Sequence, residues 1–316
     1  MESPITFPGL HLTFNIQRQA LSFGKFGIYW YGIIIATGLV IAILYGLKRS
    51  KSFGITQDDL IDVIVFSIIA AIIGARLYFV LFYIDPSSGT NPYFSDPASI
   101  FNVRSGGLAI YGGIIGAFVC ATIVCKIKKI STGAVFDIAA LGFLIGQSIG
   151  RWGNFINREA YGAATSLPWR MVVDSTGTGY HPCFLYESLW CILGFIILHI
   201  YSKRRKFNGE IFLMYLMWYS FGRFFIEGLR TDSLMLGNLR ISQLVAGLLF
   251  VAAGIFIYLK RQKSNGLTDD QGEYKRVYED AAEAVRQVSD NSDETQSNDL
   301  PEDMKNDSRD DGGEEK

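Results

Sequence analysis

The sequence predicts an all-α polytopic membrane protein with about seven transmembrane helices, and three observations carry that prediction. Its apolar residues are gathered into long runs, charges inside those runs are few and isolated, and lysines and arginines collect after every second run. Residues 1–25 contain Pro4, Pro8 and several aromatics but no compact apolar core preceded by basic residues. They read as an extracytoplasmic segment, not as a cleavable signal peptide. The first helix, Phe26 to Leu47, is uncharged and serves as its own export signal. The second spans about 60–83 and carries Asp62 and Arg76, and the third, Gly106 to Cys125, is again uncharged. A fourth covers about 133–151 with Asp137, a fifth about 183–202 with Glu187, and a sixth about 211–228 with Arg223 and Glu227. Uncharged Ile241 to Leu259 is the seventh. Each uncharged run is long enough for a hydrocarbon core of about 30 Å at roughly 1.5 Å per residue.

Basic clusters follow helices one, three, five and seven: Lys48 to Lys51, Lys126 to Lys129, Lys203 to Lys206 and Lys260 to Lys263. Short loops rich in lysine and arginine stay cytoplasmic, so the N-terminus is expected outside and the C-terminus inside. The formal net charge of −1 hides an asymmetry, because residues 264–316 hold 17 acidic and 6 basic residues, a balance of −11. That leaves +10 on residues 1–263, which suits anionic phospholipid headgroups. Three parts follow: the segment 1–25, a seven-helix catalytic domain at 26–263, and an acidic cytoplasmic tail at 264–316 expected to be disordered.

Cys120, Cys125, Cys183 and Cys191 form no disulfide framework and read as small apolar filler, with Cys183 placed near the outer surface. The histidines His11, His181 and His199 are scattered, so no metal and no cofactor is expected. Glycines at 106, 107, 112, 113 and 116 let helix backbones, or a lipid headgroup, approach closely.

The polar block Gly150-Arg-Trp-Gly-Asn-Phe-Ile-Asn-Arg-Glu-Ala-Tyr-Gly162 directly follows an apolar run at the outer end of helix four. A guanidinium at membrane depth costs several kcal/mol unless an anion or a water-filled cavity receives it, which makes Arg151 a functional candidate. In Tyr219 to Arg230, Arg223 and Glu227 lie four residues apart on one helical face. Two arginines of this kind point to a phosphate, which a planar guanidinium binds bidentately. A transporter or channel for an anionic metabolite is the competing reading, but no inverted pair of interrupted helices supports it. A non-catalytic lipid-binding scaffold is a third.

The block Gly150 to Gly162 resembles the signature of the phosphatidylglycerol:prolipoprotein diacylglyceryl transferases. Trp30-Tyr-Gly32, Gly74 to Tyr78, Gly106 to Gly113, His181 to Glu187 and Tyr219 to Arg230 stand in that family's order, and only the acidic tail falls outside the similarity. The resemblance implies an enzyme of the bacterial cytoplasmic membrane whose active site faces outward. It would transfer the diacylglyceryl group of phosphatidylglycerol to the lipobox cysteine of a prolipoprotein. A thioether forms and glycerol 1-phosphate leaves, the first step of lipoprotein maturation; no nucleic acid takes part. Such chemistry needs cations for the departing phosphate and a route for deprotonating a thiol of pKa about 8.5. Carried over residue by residue, Arg151 and Asn154 bind the lipid, Asn157, Glu159 and Gly162 shape its pocket, and Arg223 assists the leaving group. Tyr31, Tyr219, Glu227 and Arg230 match positions near the headgroup cavity, and Arg76 is a further phosphate or structural contact. Where many relatives carry a histidine taken as the base, this chain has Tyr111. Tyr111 therefore either acts as base with a pKa lowered by adjacent arginines or orients the substrate, and His181 is an alternative base.

Overall fold

A computed structural model describes residues 3–23, 26–85, 89–102, 106–231, 235–236 and 239–263. The acidic tail expected to be disordered lies outside the described residues. Seven long helices form the body: α1 (Trp30–Arg49), α2 (Gln57–Phe82), α3 (Ile110–Lys128), α4 (Thr132–Asn157), α5 (Cys183–Tyr201), α6 (Glu210–Leu229) and α7 (Ile241–Lys263). Six are long and apolar enough to cross a membrane by themselves, whereas α6, which carries Glu210, Arg223 and Glu227, is not among them.

Two expected helix starts are corrected. The chain over Phe26–Tyr29 is a strand, β4, paired antiparallel with β3 (Gln19–Phe23), so α1 begins at Trp30. Gly106 and Gly107 adopt left-handed φ values of +89° and +82°, which excludes them from α3. The N-terminal segment also forms a hairpin of β1 (Ile5–Phe7) and β2 (Leu12–Phe14). Thr6 of β1 exchanges two backbone hydrogen bonds, of 2.9 and 2.8 Å, with Val172 in the loop between α4 and α5. Phe7, Phe155, Phe184 and Met171 close a small apolar core beneath that contact.

Helix α4 sits at the centre, packed against α1, α5 and α6, while α2 pairs with α3 and α6 with α7. Its core stripe, Ala134, Ile138, Leu141 and Ser148 with Val135 and Leu144 alongside, repeats at helical spacing and is buried. Small residues set the α2–α3 distance: a Cβ on Gly112 would lie 2.2 Å from the Gly74 carbonyl oxygen, and one on Gly116 2.5 Å from that of Ala70. Close helix packing therefore explains Gly112 and Gly116.

The basic clusters meet at one end of the bundle. Arg49 donates to the Ser202 hydroxyl at 3.1 Å, Lys128 pairs with Asp59 at 2.8 Å, and Arg261 pairs with Glu210 at 2.6 Å. Asp137 of α4, fully buried, accepts from the backbone N–H groups of Gly209 (2.8 Å) and Phe212 (2.9 Å), capping α6 from a neighbouring helix. That bond fixes the start of α6, and hence the depth at which Arg223 arrives.

Candidate functional site

At the opposite end, α4, α5 and α6 bring five charged side chains together. Arg151 lies in the C-terminal part of α4 and Glu187 in the second turn of α5, so both side chains stand at the same end of the bundle. Arg151 Nη2 lies 2.6 Å from Glu187 Oε2, and Arg223 Nη1 lies 3.2 Å from Glu187 Oε1. Arg230 Nη1 approaches the same Oε1 at 3.7 Å, and Arg223 reaches Glu227 at 2.6 Å along its own helix. Three guanidiniums thus share two carboxylates, Glu187 and Glu227, both almost fully buried. A small recess opens beside the cluster, lined by Glu187, Trp190, Cys191, Tyr219, Gly222 and Arg223 with Ile226.

The signature block forms the rim. The Asn154 amide donates to Glu159 Oε1 at 2.9 Å and the Asn157 amide to the same oxygen at 3.3 Å, while Arg151 Nη1 reaches Asn154 Oδ1 at 3.4 Å. These four residues are linked because α4 runs on to Asn157 and ends in the left-handed residue Arg158 (φ 54°), which turns Glu159 back over the last helical turn. Tyr31 of α1 lies across Gly153, where a Cβ would be 2.7 Å from its ring. Gly162 lies where backbones meet: its N–H donates to the His181 carbonyl at 2.9 Å, and a Cβ would be 2.9 Å from the Leu229 carbonyl oxygen. A bridge from Gly162 to Arg230 joins the signature loop to the end of α6.

Other expected site residues stand apart. Arg76 makes five hydrogen bonds, to the carbonyls of Ser99 (2.8 Å), Ile100 (2.7 Å), Asn102 (3.1 Å), Gly106 (3.1 Å) and Gly107 (3.0 Å). A guanidinium has five N–H groups, so this geometry makes Arg76 the organiser of the α2–α3 loop and leaves it no free fork for phosphate. Tyr111 begins α3 and is 66% exposed, its ring 6.5 Å from that of Tyr78. Among the described residues no ion pair or hydrogen bond joins it to an arginine of the cluster, so the premise of a phenol activated by adjacent guanidiniums has no contact behind it. His181 Nδ1 is 3.3 Å from the Tyr186 hydroxyl, which accepts from Trp169 Nε1 at 2.8 Å. Cys183, expected near the surface, is fully buried at the start of α5. Outside the spans, the hydroxyl of Thr176 holds the Asp174 carboxyl below the usual carboxylate range, which keeps that turn of the α4–α5 loop bonded at neutral pH.

The sequence marks Glu187 as a charge within a helix and as the end of the block His181 to Glu187, and the structure makes it the hub of the cluster. Trp190 and Trp218 were missed altogether. The available signal was the spacing of each tryptophan from a glycine four residues on, Gly194 and Gly222.

Fold and site together define a multipass helical membrane protein that gathers three guanidiniums around one buried carboxylate near one end of its bundle. The sequence pattern of the family described as prolipoprotein diacylglyceryl transferase matches residues 18–259. A phosphatidylglycerol–prolipoprotein diacylglyceryl transferase of Clostridioides difficile (strain 630) is 43% identical over 257 residues, covering 81% of this chain and 100% of the relative. Proteins of the same name from Bacillus cytotoxicus (44% over 260 residues; 78% of this chain, 93% of the relative) and Enterococcus faecalis (43% over 265; 79% and 93%) are similar too. The chain belongs to the prolipoprotein diacylglyceryl transferase family, a family of transferases.

Proposed function

We propose that this chain transfers the diacylglyceryl group of phosphatidylglycerol to the lipobox cysteine thiol of prolipoproteins. The observation that carries this reading is the convergence of three guanidiniums, Arg151, Arg223 and Arg230, on the buried Glu187, with the signature residues Asn154 and Glu159 joined to Arg151. A lipid phosphate is the ligand that such a set of guanidiniums binds. Before lipid arrives, Glu187 is the counter-ion that keeps three like charges side by side.

In the reaction the cysteine sulfur attacks a glyceryl carbon. An S–C bond forms as the C–O bond to phosphate breaks, the electron pair leaves with glycerol 1-phosphate, and the thiol proton goes to a base. Arg151 holds the phosphate bidentately, supported by Asn154, and Arg223 stabilises the charge that grows on the leaving oxygen, an interaction strengthened in a water-poor recess. Asn157 and Glu159 orient Asn154. Tyr31 and Tyr219 bound the headgroup space, and Gly162 provides the close backbone approach that places Arg230. Tyr111 acts through its hydroxyl as an orienting group, and Arg76 acts by shaping the loop that leads into α3.

The basic ends of α1, α3, α5 and α7 support a cytoplasmic setting for that end of the bundle and an outer-face setting for the arginine cluster, where an exported prolipoprotein would be met. The same reasoning divides the chain into an outer segment at 1–25, the catalytic domain at 26–263 and an acidic cytoplasmic tail at 264–316. Purified full-length protein supplied with phosphatidylglycerol vesicles and a lipobox peptide tests the reading. A thioether-linked diacylglyceryl peptide with released glycerol phosphate is the expected result; lipid binding without transfer, or net transport of an anion into vesicles, overturns it.

A further inference from the structure

Trp190, which lines the recess beside the arginines, belongs to a reciprocal tryptophan pair. Trp190 of α5 and Trp218 of α6 stack with ring centroids 4.3 Å apart and planes within 13°. Trp190 Nε1 donates to the Trp218 carbonyl at 3.0 Å, and Trp218 Nε1 donates to the Trp190 carbonyl at 3.0 Å. Each indole fits only because a glycine faces it. A Cβ on Gly222 would lie 2.2 Å from Trp190 Nε1, and one on Gly194 would lie 2.3 Å from Trp218 Nε1. Phe221 stacks beside Trp190 at 5.9 Å.

This arrangement differs from ordinary apolar packing in being directional. Two N–H···O bonds of opposite sense and one stacking distance together determine both the separation and the sliding register of α5 against α6. Glu187 stands three residues before Trp190, and Arg223 directly follows Gly222, so the pair is about one helical turn from the ion pair that joins the two helices. The Glu187–Arg223 contact spans the same helix interface, which the Tyr201 hydroxyl also crosses at the far end by donating to Glu210 at 3.2 Å.

We infer that Trp190 and Trp218 are positioning residues of the transferase site, a clamp that sets the α5–α6 register and thereby holds Arg223 against Glu187 in the geometry that receives the lipid phosphate. The inference rests on the proposed function, since the geometry matters to catalysis only if the cluster binds the leaving phosphate. A misplacement on the ångström scale far from the chemistry is enough to cost a large factor in rate.

The test is a double-mutant cycle. Trp218→Phe removes one N–H donor while keeping an aromatic ring, and it should lower kcat for diacylglyceryl transfer about tenfold with KM for phosphatidylglycerol changed less than about twofold. In a Glu187→Gln background the same change should cost less than about twofold, because the contact that the clamp positions is already gone. Equal factors in both backgrounds would mean that the tryptophans only stabilise the fold, and would overturn the inference. Gly222→Ala and Gly194→Ala, which strike the two indoles from opposite sides, should reproduce the loss, whereas Gly247→Ala, with open space around its Cβ, should not.

A readout on the unmodified fold covers the case in which these variants fail to accumulate. The stacked indoles give an exciton couplet in circular dichroism, which should change when phosphatidylglycerol is added to the wild type and stay constant in Glu187→Gln. An unresponsive couplet in the wild type sinks the coupling. If the wild type binds phosphatidylglycerol but transfers nothing, the proposed function fails, and the cycle is then read from lipid binding alone.

Discussion

Buried carboxylates anchor both ends of this bundle, and the two ends solve the problem in opposite ways. At the basic end Glu210 is fully buried and meets one guanidinium, Arg261, at 2.6 Å, with the Tyr201 hydroxyl at 3.2 Å and the Lys206 backbone N–H also donating to it. Asp137 nearby is satisfied by two backbone N–H groups. At the other end Glu187 faces three guanidiniums, and among the described residues Glu227 shares Arg223 with it. The ion pair at the basic end is closed and joins helices. Glu187 instead holds like charges side by side, an arrangement that is costly in an apolar surrounding and is tolerated where an anionic ligand is received.

The sharpest way to break this comparison is at Arg151. Arg151→Ala should reduce transfer by about 10²- to 10³-fold, the scale of losing one preorganised donor to a developing oxyanion, while membrane abundance stays the same. Arg151→Lys should also be poor, because a point charge does not reproduce the planar fork. A well-folded Lys variant with wild-type rates, measured by peptide lipidation, would contradict bidentate phosphate binding.

The closed end predicts the reverse phenotype. Arg261→Leu leaves Glu210 buried without its guanidinium and should destabilise the protein toward the lower end of about 3–5 kcal/mol, since Arg261 is itself 39% exposed. Thermal inactivation in detergent should occur at lower temperature, with specific activity of the surviving enzyme unchanged. A catalytic defect without loss of stability would erase the distinction between the two ends.

Tyr111 supplies a smaller effect. With its ring exposed beside Tyr78 and no cluster arginine bonded to it, an orienting role predicts that Tyr111→Phe slows transfer severalfold and partly recovers at high pH, where more substrate thiol is ionised. Failure to recover would restore a role as base, and an unchanged rate at every pH would leave Tyr111 as packing. Smallest of all is the tail: truncation after Lys263 should leave specific activity unaltered, because on the proposed orientation an inner-face segment would not reach an outer-face site. Loss of activity at equal membrane abundance would break that placement.

Much of this was legible in the chain, and the exceptions share a cause. Helix count and approximate span limits follow from runs of apolar residues, because a bilayer forces nearly every backbone polar group to be satisfied within its own helix. The errors lay where local pairing overrode hydropathy. Phe26–Tyr29 is apolar enough for a span but is taken by a hairpin, and Gly106 and Gly107 adopt backbone angles that a helix excludes. Arg151, Arg223 and Glu227 stand out in sequence because a charge in an apolar run needs a reason. Arg76 stands out equally, yet its five donors are spent on loop carbonyls that are 23 to 31 residues away in sequence.

By itself, then, the sequence determined that the protein is a polytopic membrane protein of about seven helices, that its basic clusters recur after every second helix, and that Arg151 and Arg223 are candidates for binding an anion. Each of those properties depends on composition along a single segment. Only the tertiary structure decided that Glu187 is the hub of those arginines, that Arg76 is not among them, and that a tryptophan pair holds α5 to α6. Those are relations between helices, set by crossing geometry and by which side chains a glycine leaves room for, and no periodicity within one helix encodes them.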